Sequence, residues 1–364
     1  MELIPEWAPS VHPMLVHFPL AILAVAILFD FISFFLPKEQ KWWTEEATAF
    51  LYGIGAVAAV GVYFTGKAAA NSVFLPAEAQ TVLNTHADWA WWTVWFYGIY
   101  ALARILATWK VPAKHHRKLH LGFFALSFIG LFLLFQTGDN GAKMVFKHGV
   151  GVQAAQVEDT EQTDFDESSQ NETVPTAFNV NENGDWIWEI ENGAVQALQN
   201  NFHFISGSAG QLNAEAVQTD SGSYALRLSG DNLNGFFVTH ENYQNVQVDY
   251  RLDVSAFNGT ITLVNHVQDS ANYDYVSVSS DGTVQQGRMI EGQPEVFAEG
   301  QTDVSKPLFV RVVGSGTHFR GYVDKQMVVH GHGDAPEAGQ VGLKLEGNGT
   351  VLLEQMELVQ LTDE

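Results

Sequence analysis

The chain contains no cysteine. That excludes disulfides, thiolate zinc sites, iron–sulfur clusters and covalently attached c-type haem. Histidine, with 13 copies, is left as the main ligand for a softer metal. Positive charge is also scarce. Residues 1–150 carry 10 Lys and Arg against 9 Asp and Glu, so residues 151–364 hold only 8 basic side chains against 32 acidic ones. A surface of that sign repels nucleic acid and anionic lipid, and no nucleic-acid partner is expected. A length of 364 residues predicts two domains. The opening stretch MELIPEWAPSVHP has neither a basic n-region nor a small-residue cleavage site, which favours a retained first helix over a removed signal peptide.

Long apolar runs, in contrast, are plentiful. Four stand near residues 14–36, 47–66, 89–108 and 119–137, each close to the ~20 residues that cross ~30 Å of hydrocarbon. Eight of the ten tryptophans fall within residues 1–150, and Trp42, Trp43, Trp89, Trp91, Trp92 and Trp109 mark run ends as interfacial aromatics do. Residues 1–152 therefore read as an α-helical membrane bundle of four transmembrane helices in the lipid bilayer. Lys38 and Lys41 lie in the first connection, and Lys110, Lys114, Arg117 and Lys118 in the third. The positive-inside rule assigns both connections to the cytoplasm. Both termini then face the periplasmic or extracellular side of a bacterial inner membrane.

On that topology His12 and His17 in HPMLVHFP, His86 in NTHADWAWW and His148 in MVFKHGVGV gather near the outer face. His12, just ahead of Pro13, also suits a helix cap. His17 lies about 7.5 Å deeper and roughly 140° around a regular helix, so one ion would hardly span both unless Pro19 kinks the chain. Thr65–Gly66 and Thr137–Gly138 end the second and fourth runs alike. This faint repeat predicts two tandem hairpins with approximate two-fold symmetry and room for a cofactor between facing helices. Imidazole ligates haem iron axially, and a non-covalent b-type haem suits a cysteine-free chain. A bare copper or zinc ion is the second candidate, and plain interfacial anchoring the third. His115, His116 and His120 sit among cytoplasmic bases and read as boundary residues. Asp30 and Arg104, near cytoplasmic helix ends, either pair or snorkel. Gly53, Gly55 and Gly61 either allow close helix packing or clear space for a macrocycle.

The segments HPMLVHFPLAIL, the Thr-Gly helix ends and GAKMVFKHGVGV together resemble an uncharacterised bacterial family of four-helix membrane proteins, over roughly residues 8–152. The resemblance implies a four-helix membrane domain, b-type haem binding by histidine and a place in electron transfer. Carried onto this sequence, that role falls to His12, His17, His86 and His148.

Residues 153–175 carry seven acids and no base and read as a solvated flexible linker. From residue 176 to 364 the pattern changes to period two. YALRLSG, VQVDYRLDV, GTITLVNHV, YDYVSVSS, PLFVRVVGSG and THFRGYVDKQMVVHG read as strands, with SDGT, GSGT and GNGT as the breaks between them. An extracytoplasmic β-sandwich or jelly roll follows. The order of elements resembles concanavalin A-like sandwiches related to keto-disaccharide hydrolases and laminarinase-like sugar-binding modules. DWIWEIENGAVQA looks like their opening strand and FRGYVDKQMVVHG like a late one. No compact Glu-x-Asp-x-x-Glu cluster stands on one strand, so a binding module is favoured over a hydrolase. His330 and His332 share a strand face but lack a visible third ligand. The Asn-Gly-Thr sequons at 258–260 and 348–350 read as turns.

Two functions follow from these readings. One is a membrane electron-transfer subunit carrying b-type haem near the outer face. Its partners would be quinol, a cytochrome or respiratory-complex subunits, and its acidic sandwich would dock them. The other is a cofactor-free membrane anchor presenting a carbohydrate-binding or complex-assembly β-sandwich.

Overall fold

The computed structural model describes residues 10–37, 41–112, 116–151, 178–219 and 222–362, the side chains of 41–44 and 116–117 excepted. The chain divides into two compact units, Met1–Val157 and Glu158–Glu364. The acidic linker expected at 153–175 lies outside the described residues.

The first unit is helical: α1 (His12–Leu15), α2 (His17–Ser33), α3 (Lys41–Ser72), α4 (Ala77–Lys110) and α5 (His116–Phe146). Pro13 opens α1, where its missing N–H costs nothing. Pro19 then has no N–H to give the Leu15 carbonyl, and the helix is interrupted at Val16. α2 packs on α3, α3 on α4 and α4 on α5, and α5 returns to α2. These contacts close a four-helix bundle.

The apolar and polar faces are inverted relative to a soluble bundle. Phe18, Phe31, Phe50, Val57, Phe64 and Phe135 point outward, while Asp30, Thr48, Gln80, Arg104 and Ser127 are buried. Small residues bring the backbones together inside: a Cβ on Gly55 would lie 2.5 Å from Leu23, and one on Gly130 would lie 2.6 Å from Tyr97. Gly61 has open space around it, and Gly53 makes only ordinary contact with Ile105.

Among the described residues, three stretches are long and apolar enough to cross a bilayer: His12–Ser33, Glu45–Ser72 and Lys118–Phe146. Of the four expected spans, three meet that criterion. The remaining run, 89–108, is helical within α4. Its apolar area comes largely from Trp89, Trp91, Trp92, Trp95, Tyr97 and Tyr100. Their N–H and O–H groups, with Arg104, lower its mean hydropathy.

The second unit is an all-β sandwich that approaches a barrel. It comprises β1 (Phe178–Val180), β2 (Trp186–Glu189), α6 (Ala194–Asn201), β3 (Phe202–Ser206), β4 (Glu215–Gln218), β5 (Tyr224–Thr239), β6 (Val246–Asp253), β7 (Phe257–Asp269), β8 (Asn272–Ser279), β9 (Thr283–Ile290) and β10 (Gln293–Gln301). β11 (Leu308–Ser315), β12 (His318–Val323), β13 (Gln326–His332) and β14 (Gln340–Gln360) complete it.

The main hydrogen-bonded path runs β10-β9-β8-β7-β14-β6-β11-β12-β13. β14 is the hinge of the arrangement: residues 340–349 pair with β7, and residues 352–360 pair with β6. The path folds back so that Phe297 of β10 meets Phe319 of β12, ring centroids 5.5 Å apart. Trp188, Tyr250, Phe237, Leu343, Leu353 and Met356 fill the space between the layers. Truncating Trp188, which is fully buried, would cost about 3–5 kcal/mol.

Two local expectations change. GNGT is a bend inside β14, not a break between strands, and both Asn-Gly-Thr segments are extended. They face one another in register, Gly347 opposite Gly259 and Asn348 opposite Asn258. The glycines permit this approach: a Cβ on Gly259 would lie 2.2 Å from the Glu346 carbonyl, and Gly349 has φ +112°. DWIWEIENGAVQA is strand only as far as Glu189. Ala194, Ala197 and Leu198 then fall at helical spacing and bury one face of α6. SDGT and GSGT are turns as expected, with Gly282 at φ +84° and Gly316 at φ +57°.

Candidate functional site

The two-fold repeat becomes a pair of matched imidazoles. His12 is not a helix cap: the N-cap position belongs to Val11, and no side chain caps it. The His12 Nδ1 lies 3.2 Å from Thr65 Oγ1. That hydroxyl already donates to the Val62 carbonyl, so His12 Nδ1–H is the donor. In the second hairpin the His86 Nδ1–H donates to the Thr137 carbonyl at 2.9 Å. Thr93 and Thr137 hydroxyls meet beside it at 2.9 Å.

A glycine clears the space next to each ring. A Cβ on Gly66 would lie 2.9 Å from the His12 ring, and one on Gly141 would lie 3.2 Å from the His86 ring. The two rings stand edge to face with centroids 6.5 Å apart. With both Nδ1 atoms spent as donors, both Nε2 atoms carry free lone pairs. Metal-binding histidines have this tautomer, their second nitrogen donating to a carbonyl or hydroxyl.

The other two sequence candidates sit elsewhere. His17 opens α2 on its exposed side. His148 follows α5 in a turn closed by Gly149 (φ +63°), whose N–H reaches the Val145 carbonyl. Its Nε2 is buried and meets no hydrogen-bond partner among the described residues. The structure thus brings His12 and His86 into ring contact, while His17 lies on the exposed side of α2 and His148 past the end of α5.

A second polar cluster lies deeper in the helical unit. Asp30 and Arg104 form a buried ion pair. Tyr52 donates to the second Asp30 oxygen at 3.1 Å, and the guanidinium also reaches Thr48 at 3.0 Å. His120 completes the group: Arg104 donates to its Nδ1 at 3.2 Å, leaving Nε2–H to donate to Ser33 Oγ at 2.7 Å. Ser33 Oγ in turn donates to the Asp30 carbonyl. Of the two sequence options for Asp30 and Arg104, pairing is the one adopted. His120, read as a boundary residue, is instead a link in this network. Its spacing from Arg104 in sequence gave no signal, because the contact forms between α4 and α5.

In the β-sandwich, several aspartates are committed to structure. Both Asp249 oxygens accept from Arg311 at 2.7 Å. Asp274 bridges His266 and Arg288 in the interior. Asp269, Asp281 and Asp303 accept from backbone N–H groups two residues on. Glu357 faces Asp249 across β14 and β6. Burial, with the Asp249 charge beside it, pushes its carboxyl above the usual range, and Arg311 and Arg251 partly offset this.

His330 and His332 do share a face of β13, and the third histidine that sequence reasoning lacked is His318 of β12. It lies opposite His332 in register. Burial, with Arg320 and His332 alongside, holds the His318 imidazole down at about 3. The HGHG spacing at 330–333 hints at a strand face, but only the Asp324–Lys325 turn, both residues at positive φ, determines that His318 meets it.

Residues 8–154 match a family described as "Predicted membrane protein (DUF2231)". No curated protein matches the chain. Among solved structures it is similar to the carbohydrate-binding module CBM66 from Bacillus subtilis: 18% identity, 43% of this chain and 94% of that one, TM-score 0.34. It is also similar to a Bacillus licheniformis β-glucanase: 11% identity, 50% of this chain and 100% of that one, TM-score 0.37. A third is a Bacillus subtilis protein of unknown function with a galectin-like fold: 8% identity, 48% of this chain and 96% of that one, TM-score 0.35.

Proposed function

We propose that this chain is a membrane-anchored recognition protein. Its helical unit sits in the bacterial inner membrane, and its β-sandwich is a binding module for a glycan, displayed on the periplasmic or extracellular side. One observation carries the reading. The chain joins a bundle with apolar side chains outside and polar ones inside to a separate β unit with a complete core of its own. The basic first and third connections support the sidedness.

Binding is favoured over hydrolysis by the state of the acids. A glycosidase needs two free carboxyl groups flanking the sugar. The facing pair Asp249 and Glu357 has one member held in a fork by Arg311. Full-length protein in detergent, screened on an oligosaccharide array and followed by calorimetry, tests the reading. Saturable binding without cleavage products supports it. An array with no ligand leaves the sandwich as an assembly module and removes the glycan.

A second reading is favoured by the His12–His86 pair. The two rings lie close, with centroids 6.5 Å apart, and each has its Nδ1 engaged by its own hairpin, which leaves two imidazole nitrogens available as ligands. His12 and His86 would hold a b-type haem, which supplies one-electron transfer between a quinol or membrane partner and an outer acceptor. Thr65, Thr137, Gly66 and Gly141 orient the two rings. A Soret band in protein from haem-supplied cells, lost in His86→Ala, is the expected result. A colourless preparation refutes this second reading and leaves the first standing.

A further inference from the structure

The β12–β13 hairpin carries a cluster that neither reading uses. His318, His330 and His332 each place a ring nitrogen so that all three lie within 4.8 Å of one another. Strand geometry explains the compactness. His318 and His332 are register partners, and His330 is two residues along β13 on the same face. The ring centroids of His332 lie 4.8 Å from both others.

The opposite face of the hairpin is pinned. A Cβ on Gly331 would lie 2.4 Å from Phe297, and one on Gly333 would lie 2.8 Å from it, so glycine lets β10 press directly against β13. The cluster is thereby mounted on backed strands, not on a loop. Its access is graded: His318 is buried, His330 half-buried and His332 exposed, at the end of the hydrogen-bonded path.

We infer that His318, His330 and His332 form a binding site for one divalent transition-metal ion of the zinc class. Three imidazoles supply three corners of a tetrahedron and leave the fourth open on the His332 side to water or an anionic ligand. Arg320 follows His318 on the same face of β12 and lies opposite His330. Its charge opposes a bare cation and favours an anion, hydroxide or carboxylate, in the fourth position. The cysteine-free composition removes thiolate competitors from the chain.

The test uses full-length protein in detergent, stripped with EDTA, then titrated with Zn2+ by calorimetry and with Co2+ by visible absorption. One equivalent should bind at micromolar Kd or tighter, with the intense d–d bands of tetrahedral Co2+. His330→Gln/His332→Gln should weaken binding by about 100-fold or more. His12→Gln/His86→Gln should leave it intact, which separates this site from the helical unit. His332→Cys should keep binding and add a sulfur-to-cobalt charge-transfer band. That variant covers the case in which the double glutamine form folds poorly. Absence of tetrahedral Co2+, or an affinity unchanged in the double glutamine variant, overturns the inference.

Discussion

Arg104→Met removes the cation from a carboxylate that has no water to fall back on. The Asp30 side chain is fully inaccessible and that of Arg104 is 4% exposed. After the change, the Asp30 carboxylate keeps the Tyr52 hydroxyl at 3.1 Å and has the His120 ring 3.9 Å away, while Thr48 and His120 each lose their guanidinium contact. Breaking a buried pair by deleting one partner costs about 3–5 kcal/mol, most of it from the charge left behind. Removing that charge as well should therefore restore stability: Asp30→Asn/Arg104→Met is expected to recover roughly 2 kcal/mol or more of the loss. Unfolding followed by the helical far-UV dichroism in detergent, for the wild type, both single variants and the double, gives the coupling directly. A cost below about 1 kcal/mol for Arg104→Met, or additive single effects, would refute the argument that this pair is held in a low-dielectric interior.

Three further outcomes are expected. Zn2+ at about 100 times its Kd should stabilise the β unit by about 2.7 kcal/mol, a rise in its melting temperature of roughly 5–10 °C; EDTA should reverse this. Glu357→Gln should equal or exceed the wild type at neutral pH, because a carboxyl raised above its ordinary range favours folding only where it is protonated. The advantage should shrink as pH falls through the raised range toward the ordinary glutamate value of about 4.3 and be gone below it, and a variant less stable at pH 7 would contradict this account. Lys325→Gly should relieve a side chain held at φ +65°, stabilise by about 1 kcal/mol and raise the melting temperature by roughly 2–4 °C; a fall would mean that the lysine side chain matters more than its backbone.

Legibility in the sequence followed the range of each interaction. Helices with outward Phe and Leu announce themselves because those side chains are contiguous in sequence, whereas the contacts of His12 with Thr65 and of His86 with Thr137 join residues more than 50 apart and were not legible beyond a faint Thr-Gly repeat. α4 is less easily read than its neighbours because its aromatic rings count as greasy in a run and as polar at their N–H and O–H tips. The period-two pattern revealed strands but not their register. That is why GNGT passed for a turn, and why His318 could not be joined to His330 and His332 before Asp324 and Lys325 fixed the hairpin. His120 was lost for the same reason: its partner Asp30 is 90 residues away.

β14 follows every other strand in the chain, yet its first half pairs with β7 and its second with β6. β5 pairs along it as well. A nascent sandwich emerging N-terminus first would hold thirteen strands with no seam between its two layers. Neither layer can close until residues 340–360 arrive, so the contacts that complete the fold are also the most distant in sequence, and their closure is slow. Until then the exposed flanks of β6 and β7 would be unpaired strand edges. The unit is therefore expected to depend on a chaperone that holds it, or on rapid synthesis of residues 340–360, more than its finished stability would suggest.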